Sequence, residues 1–307
     1  VILLCVLVVL IAVIGGYFLL RDENRLSSSE RLWITENANV VQNVYVLNDA
    51  NLFGNLGNGV YYSFLNDFSE EYSLQFNPIT VTGSESPDGL SLTVTNALLD
   101  LDVPFYEDHY VLVSKKNEVS IGLEDLASQK IGVLSTFNDV VKNYLGGSGA
   151  LTLYSSSDEL FNALDSGNVS YVIVPRMENM DTILEKNLWI VHHFSDLKRY
   201  FVLRDSNDSV LFRIMRKYFA KWSEDTLETE LYAQELALFQ GALNVTDAMV
   251  DEMRKTTVTY GFMTNLPYEV YGDGEFGGIL SEYVGAFAKF LNLDINSFIN
   301  NFLSNLI

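Results

Sequence analysis

Cysteine is almost missing from this sequence. Cys5 is the single one among 307 residues, which rules out an intramolecular disulfide framework and a thiolate metal site. Histidine is nearly as scarce, with only His109, His192 and His193. No HExxH, no metal-ligand spacing and no nucleophile elbow can be found around them, so no catalytic residue, metal site or cofactor is expected and the chain does not read as an enzyme. His192 and His193 follow the apolar run LWIV and are read as closing the end of a strand. Basic residues are also few: 19 against 40 acidic ones, a formal net charge of -21. A phosphate backbone would be repelled by most of such a surface, which excludes nucleic acid as a partner.

Apolar sequence is abundant at the start. Residues 1–20, VILLCVLVVLIAVIGGYFLL, carry no charge and end at Arg21, Asp22 and Glu23. About 20 apolar residues are what a helix needs to cross a bilayer. The run is too long for the apolar part of a cleavable signal and lacks a small-x-small site after it. It is therefore read as an uncleaved transmembrane anchor. Leu3 and Leu4 precede Cys5 where a lipoprotein would have a small residue, so Cys5 is read as lipid-facing filler.

Residues 21–42 read as a polar linker. Beyond it two periodicities alternate. Strand-like runs are NVYVLN around Val44, KIGVL at Lys130 to Leu134, SYVIV at Ser170 to Val174, LWIV at Leu188 to Val191 and RYFVL at Arg199 to Leu203. Between them, Gly59 to Leu74 sets Val60, Tyr61, Phe64, Leu65, Phe68 and Tyr72 on one helical stripe. In SSDELFNALDSG, Ser156 stands three residues before Glu159 as in a capping box, and Gly167 marks the stop. Strands and helices in alternation predict an α/β fold with parallel sheets.

The order of these pieces resembles the type 2 periplasmic solute-binding proteins, in particular the amino-acid-binding group called family 3. Pro104, Phe105 and Tyr106 are similar to that family's hinge-strand PYY. LEDL at Leu123 to Leu126 resembles the element that opens its second lobe, and SSSDELFNALDSGNVSYVIV and RYFVLRDSNDSVLFRIMRKYFAKW resemble its later helix and strand and its returning strand and closing helix. The resemblance implies a two-lobed clamshell over residues 43–240, with lobe 1 from 43–103 and 198–240 and lobe 2 from 104–197. Two strands crossing between the lobes would form a hinge. After a linker at 241–255, TVTYGFMTNLPYEVYGDGEFGGILSEYVGAFAKFLNLDI repeats the strand, Gly-rich loop and amphipathic helix of Asn43 to Phe76. Residues 256–307 are thus read as the start of a second, incomplete clamshell, since a lone strand, helix and strand cannot cover their apolar face.

A tandem of clamshells behind a membrane helix implies the extracytoplasmic, ligand-sensing region of a single-pass receptor in the cell membrane. The alternative is the substrate-binding protein of an ABC transporter for amino acids or similar polar solutes. Expected partners are a small polar solute, the membrane through residues 1–20, and a second copy of the chain or transporter subunits. The resemblance points to Asn48, Asp49, Asn51, Phe53, Thr95, Asn96, Tyr106, Ser135 and Thr136 as contacts in the first cleft. Asn and Asp after a strand also serve as turn formers, and Ser135, Thr136 or Asn138 as helix caps. In the second domain it points to Pro267, Tyr268 and Glu282. The sequence departs from the family where a carboxylate-binding arginine and an ammonium-binding acid would stand: no Arg or Lys occurs between Phe76 and Tyr106, and Pro175 takes the acid's place. Binding of a standard α-amino acid in the first cleft is therefore not expected.

Overall fold

The computed structural model describes residues 24–117, 122–126, 128–146, 150–262, 265–272 and 275–299. The apolar segment 1–20 lies outside them. Among the described residues no helix is long and apolar enough to cross a membrane. The chain divides into two compact units between Leu231 and Tyr232.

The first unit opens with a helix that was read as linker, α1 (Ser28–Asn37). Ser27 caps it, accepting from the Glu30 amide, while the Glu30 carboxylate accepts from the Ser27 amide. This is a full capping box, and its Ser-x-x-Glu signature stood in the sequence. Lys217 pairs with Glu30 at 2.8 Å, and Trp33 and Ile34 pack on the core.

Strand β1 (Val41–Leu47), helix α2 (Val60–Tyr72) and strand β2 (Gln75–Val81) follow, with β1 and β2 parallel in register from Val41 opposite Gln75 to Leu47 opposite Val81. Helix α2 buries Val60, Tyr61, Phe64, Leu65 and Phe68, five of the six residues on its predicted stripe, and Tyr72 is half-buried. Next come β3 (Ser91–Thr95), the long β4 (Val103–Ser114), α3 (Leu123–Leu126), β5 (Ile131–Leu134) and α4 (Asn138–Tyr144). Then β6 (Leu151–Tyr154), α5 (Ser157–Asp165), β7 (Tyr171–Pro175) and α6 (Met180–Glu185) lead to β8 (Trp189–Arg204). Helix α7 (Val210–Asp225) closes the series, and α8 (Leu227–Leu243) spans the boundary, with residues 232–243 in the second unit. Ser156 caps α5 by accepting from the Glu159 amide, but Glu159 turns back to Ser155 rather than to the cap.

The eight strands hydrogen-bond in the order β2-β1-β3-β8-β4-β7-β5-β6. Pairing is continuous, yet only β4 and β8 run through both halves. LWIV and RYFVL, read as two strands, are the two ends of β8: no Pro or Gly separates them, and the polar stretch between pairs with β4. Their ladder shifts register between Pro104 and Tyr106, between His109 and Tyr110, and between Leu112 and Val113. Such irregularities bend paired strands.

The apolar interior divides at the same place. One core gathers β1, α2, β3 and α7, with Phe64 edge-on to Phe105 and Trp222 and Phe53 stacked on Phe201 at 3.7 Å between ring centres. Two further clusters flank β4, β5 and β7, one around Tyr110, Ile131 and Phe194 and the other around Val113, Leu160 and Val172. The first core takes in Phe105 and Met177, from within the segment 104–197.

The second unit holds α9 (Asp247–Lys255), β9 (Val258–Phe262), the short pair β10 (Val270–Gly272) and β11 (Glu275–Gly277), α10 (Ile279–Leu291) and β12 (Ile295–Ile299). Strand β12 lies parallel to β9, joined through α10. This is the β1-α2-β2 arrangement again, down to the turn into the helix. Val60 and Tyr61 donate to the Leu52 and Phe53 carbonyls, and Ile279 and Leu280 donate to those of Pro267 and Tyr268. Each helix starts after a glycine of positive φ, Gly59 at 107° and Gly278 at 93°, and ends on a left-handed residue, Ser73 or Asn292.

Candidate functional site

In open α/β sheets, ligand sites form beyond the carboxyl ends of the parallel strands. In the first unit five such ends send residues to one place. Asp49 follows β1, Gly83 follows β2, Asn96 follows β3, Phe137 follows β5 and Glu178 follows β7. Gly83, Asn96, Phe137 and Glu178 touch Arg199, which lies in the middle of β8 where it passes from one core to the other, while Asp49 binds the Gly83 amide and acts on the guanidinium through its charge.

The Arg199 side chain is 3% exposed. Its Nε and Nη2 donate to the two oxygens of Glu178, a two-pronged pair in which Nη2 reaches Oε2 at 3.0 Å. Nη1 donates to Asn96 Oδ1 at 3.0 Å and Nη2 also to the Gly83 carbonyl at 2.8 Å. The guanidinium carbon sits 4.7 Å from the centre of the Phe137 ring. Burial disfavours the charge, but Glu178, with help from Asp49, outweighs it and holds the guanidinium more firmly protonated than usual. Asp49 accepts from the Gly83 amide with both oxygens, at 3.0 and 2.9 Å. Asp49 keeps an exposed edge, but crowding by neighbouring protein atoms, reinforced by the nearby Glu178 carboxylate, raises its carboxyl above the ordinary value.

A second cluster adjoins the first. Asp108 is fully buried in β4 and accepts from the Met177 amide at 2.8 Å and from Arg176 Nε at 3.3 Å. Burial raises its carboxyl despite these donors. Arg176 Nη2 also donates to the Tyr106 hydroxyl at 2.8 Å, and the Tyr110 hydroxyl donates to Asn96 Oδ1 at 2.9 Å. His192 and His193 lie inside β8, paired with Leu112 and Val111, and do not cap a strand end. Burial, with Arg176 close by, holds His193 below its ordinary value.

Most of the residues expected to contact a solute are engaged with the protein itself. Asn48 Oδ1 accepts from the Leu56 amide, which closes the loop after β1. Asn51 donates to Asp181 Oδ2 at 2.7 Å and accepts from Asn55. Phe53 is fully buried against Tyr61, Tyr106 and Phe201, so it is core rather than a cleft wall. Thr95 makes a local turn with Ala97. Ser135 donates to the Tyr154 carbonyl and Thr136 is exposed; neither caps α4, whose cap position is Phe137. Asn138 bonds to Asp139 instead. Asp49 and Asn96 alone of the predicted set reach the Arg199 cluster. Arg199, Glu178, Asp108 and Arg176 were passed over. Their signal was present, with Arg176 and Glu178 just past the apolar run YVIVP, Arg199 at the head of RYFVL and Asp108 inside FYEDHYVLV, but their convergence depends on the crossing of β4 and β8.

In the second unit, Pro267 and Tyr268 receive the first amides of α10, Tyr268 is 53% exposed, and Glu282 is exposed in the helix's first turn. Tyr260 donates to Glu269 at 2.8 Å across the same loop. Among the described residues no group of three or more His, Cys, Asp or Glu could hold a metal ion.

No family model matches the chain, and no curated protein matches it. Solved structures do. The periplasmic domain of BvgS from Bordetella pertussis is 15% identical with a TM-score of 0.55, over 90% of this chain and 59% of that one. The VFT2 domain of the same protein is 15% identical with a TM-score of 0.53, over 68% of this chain and 99% of that one. AbpA, an amino acid ABC transporter substrate-binding protein from Streptococcus pneumoniae bound to L-arginine, is 16% identical with a TM-score of 0.53, over 68% of this chain and 98% of that one. These likenesses, with the divided core and the two strands that cross it, establish that the chain carries the clamshell fold of the type 2 periplasmic binding proteins.

Proposed function

We propose that this chain is the extracytoplasmic, ligand-sensing region of a membrane-anchored receptor. In this reading residues 1–20 anchor it, residues 43–240 form a first clamshell, and residues 256–307 begin a second, which receives a small polar solute at Pro267, Tyr268 and Glu282. The observation that carries the proposal is the repeat of β1-α2-β2 by β9-α10-β12, with the same amide-to-carbonyl bonds at the helix start. The likeness to a sensor-sized periplasmic domain agrees with it: coverage of this chain rises from 68% against one VFT domain to 90% against the whole BvgS periplasmic domain.

A transport role is the second reading, favoured by an equal likeness to AbpA. Topology and binding separate the two. In its host, protease added to spheroplasts should remove the globular part and leave a membrane-embedded stub. Protection of the globular part, or recovery of a soluble protein starting near Arg21, would overturn the receptor reading. In the full-length protein, a panel of polar solutes should contain one that raises the unfolding temperature, by about 2.7 kcal/mol of stabilisation at 100 times its dissociation constant. Tyr268→Ala should abolish that shift; a shift untouched by Tyr268→Ala and Glu282→Gln would place the solute elsewhere.

A further inference from the structure

The first clamshell holds a side chain where a clamshell would hold a solute. Arg199 touches residues from four strand ends, and its contacts are divided between the two sides. Gly83 and Asn96 belong to the side with β1, β2 and β3; Glu178 and Phe137 belong to the side with β5 and β7. A second contact spans the same gap, from Asn51 after β1 to Asp181 in α6 at 2.7 Å. A buried guanidinium needs its charge balanced and its five donors met. Opening the lobes would strip it of either the Glu178 carboxylate or the Gly83 and Asn96 oxygens.

From this we infer that the first clamshell is latched shut by its own Arg199, which acts as an internal ligand in place of an external solute. The lobes then close with the cleft self-filled, and the first unit works as a rigid coupling element rather than as a receptor for solute. The inference is independent of whether the second unit binds a solute. It also explains why Asp49 and Asn96, on the cleft side, face a cation of the protein's own. With Arg199 removed, Asp49, Glu178 and the Gly83 and Asn96 oxygens would remain as an acidic socket shaped for a planar cation.

Spin labels placed by Ser86→Cys and Lys142→Cys, with Cys5→Ser, report the distance between the two sides in the full chain. The protein is first unfolded and refolded to strip any carried solute. The native chain should then give a single short distance that no amino acid changes. A broad or longer distribution that narrows only when a solute is added would overturn the inference. Arg199→Ala should lengthen and broaden the distribution, and millimolar guanidinium or methylguanidinium should restore the short distance, whereas Arg199→Lys should restore it in part. An Arg199→Ala chain that stays closed without guanidinium would likewise refute the latch. If Arg199→Ala does not fold, Glu178→Gln serves, with a lengthened distance expected and an unchanged one counting against.

Discussion

At the scale of single residues, aromatic rings and a few buried ions set the stability of the first unit. Phe64 is fully buried and touches Phe68, Phe105, Tyr218, Phe219 and Trp222. Those rings come from α2, β4 and α7, each fixed in its own element, so they close only partly over the space a smaller residue would leave. Phe64→Ala should therefore lower the unfolding free energy by roughly 3–5 kcal/mol, measured by denaturant titration. Asp49 works in the opposite sense. Its partly exposed carboxyl is raised in the folded state by crowding protein atoms and by Glu178, so folding favours its protonated form, to an extent that solvent screening keeps small. That contribution is absent well above the folded value, grows as pH falls through it, and is complete near the unfolded value of about 3.9. The stability of the native chain relative to Asp49→Asn should thus rise from pH 7 toward about pH 4 and then level off. A difference that is flat across that range would refute the assignment.

At the scale of elements, the turn before each repeated helix is the most constrained feature. A Cβ on Gly59 would lie 2.6 Å from the Phe53 carbonyl carbon and oxygen, and one on Gly278 would lie 2.5 Å from the Tyr268 oxygen, both at positive φ. Gly59→Ala should cost at least about 1–3 kcal/mol in backbone strain alone. The Val60 and Tyr61 amides, which donate to Leu52 and Phe53, should exchange with solvent faster in that variant. The Ile279 and Leu280 amides should do the same in Gly278→Ala. Amphipathic helices such as α2 and α5 were legible in the sequence because their stripe is a local property of 3.6-residue periodicity. Helix α1 was not, since its apolar content is low and its Ser-x-x-Glu cap was read as linker. The continuity of β8 escaped too, because a strand that crosses from one core to another is polar in the middle and resembles two strands.

For the whole molecule, the two units differ in how much they cover. Helix α2 presents Val60, Phe64 and Phe68 to a core completed by α7, whereas Ile279, Tyr283 and Phe287 of α10 are 57%, 72% and 42% exposed. Among the described residues the second unit's buried apolar side chains are Val250, Phe262 and Leu291. Local opening free energy follows buried contacts. Amide exchange in α10 should accordingly be faster than in α2 by at least tenfold, a difference of about 1.4 kcal/mol in opening. Equal protection of the two helices in this chain would show that contacts other than these hold α10.

By itself the sequence determined the α/β class, the amphipathic helices, the repeat of strand, loop and helix, and the exclusion of an intramolecular disulfide. The repeat rests on likeness between two distant segments, and the others on composition or on periodicity within about twenty residues. The tertiary structure alone decided which charged groups meet between the two cores. Reading along the chain, the loss of an arginine before Tyr106 and of an acid at Pro175 left a neutral site. Folding returns both charges from elsewhere, as Arg199 carried in by β8 and Glu178 set just past β7. Their meeting depends on the register of two strands that pair across some 90 residues, and strand register is set by long-range pairing and burial, not by any pattern local to either strand.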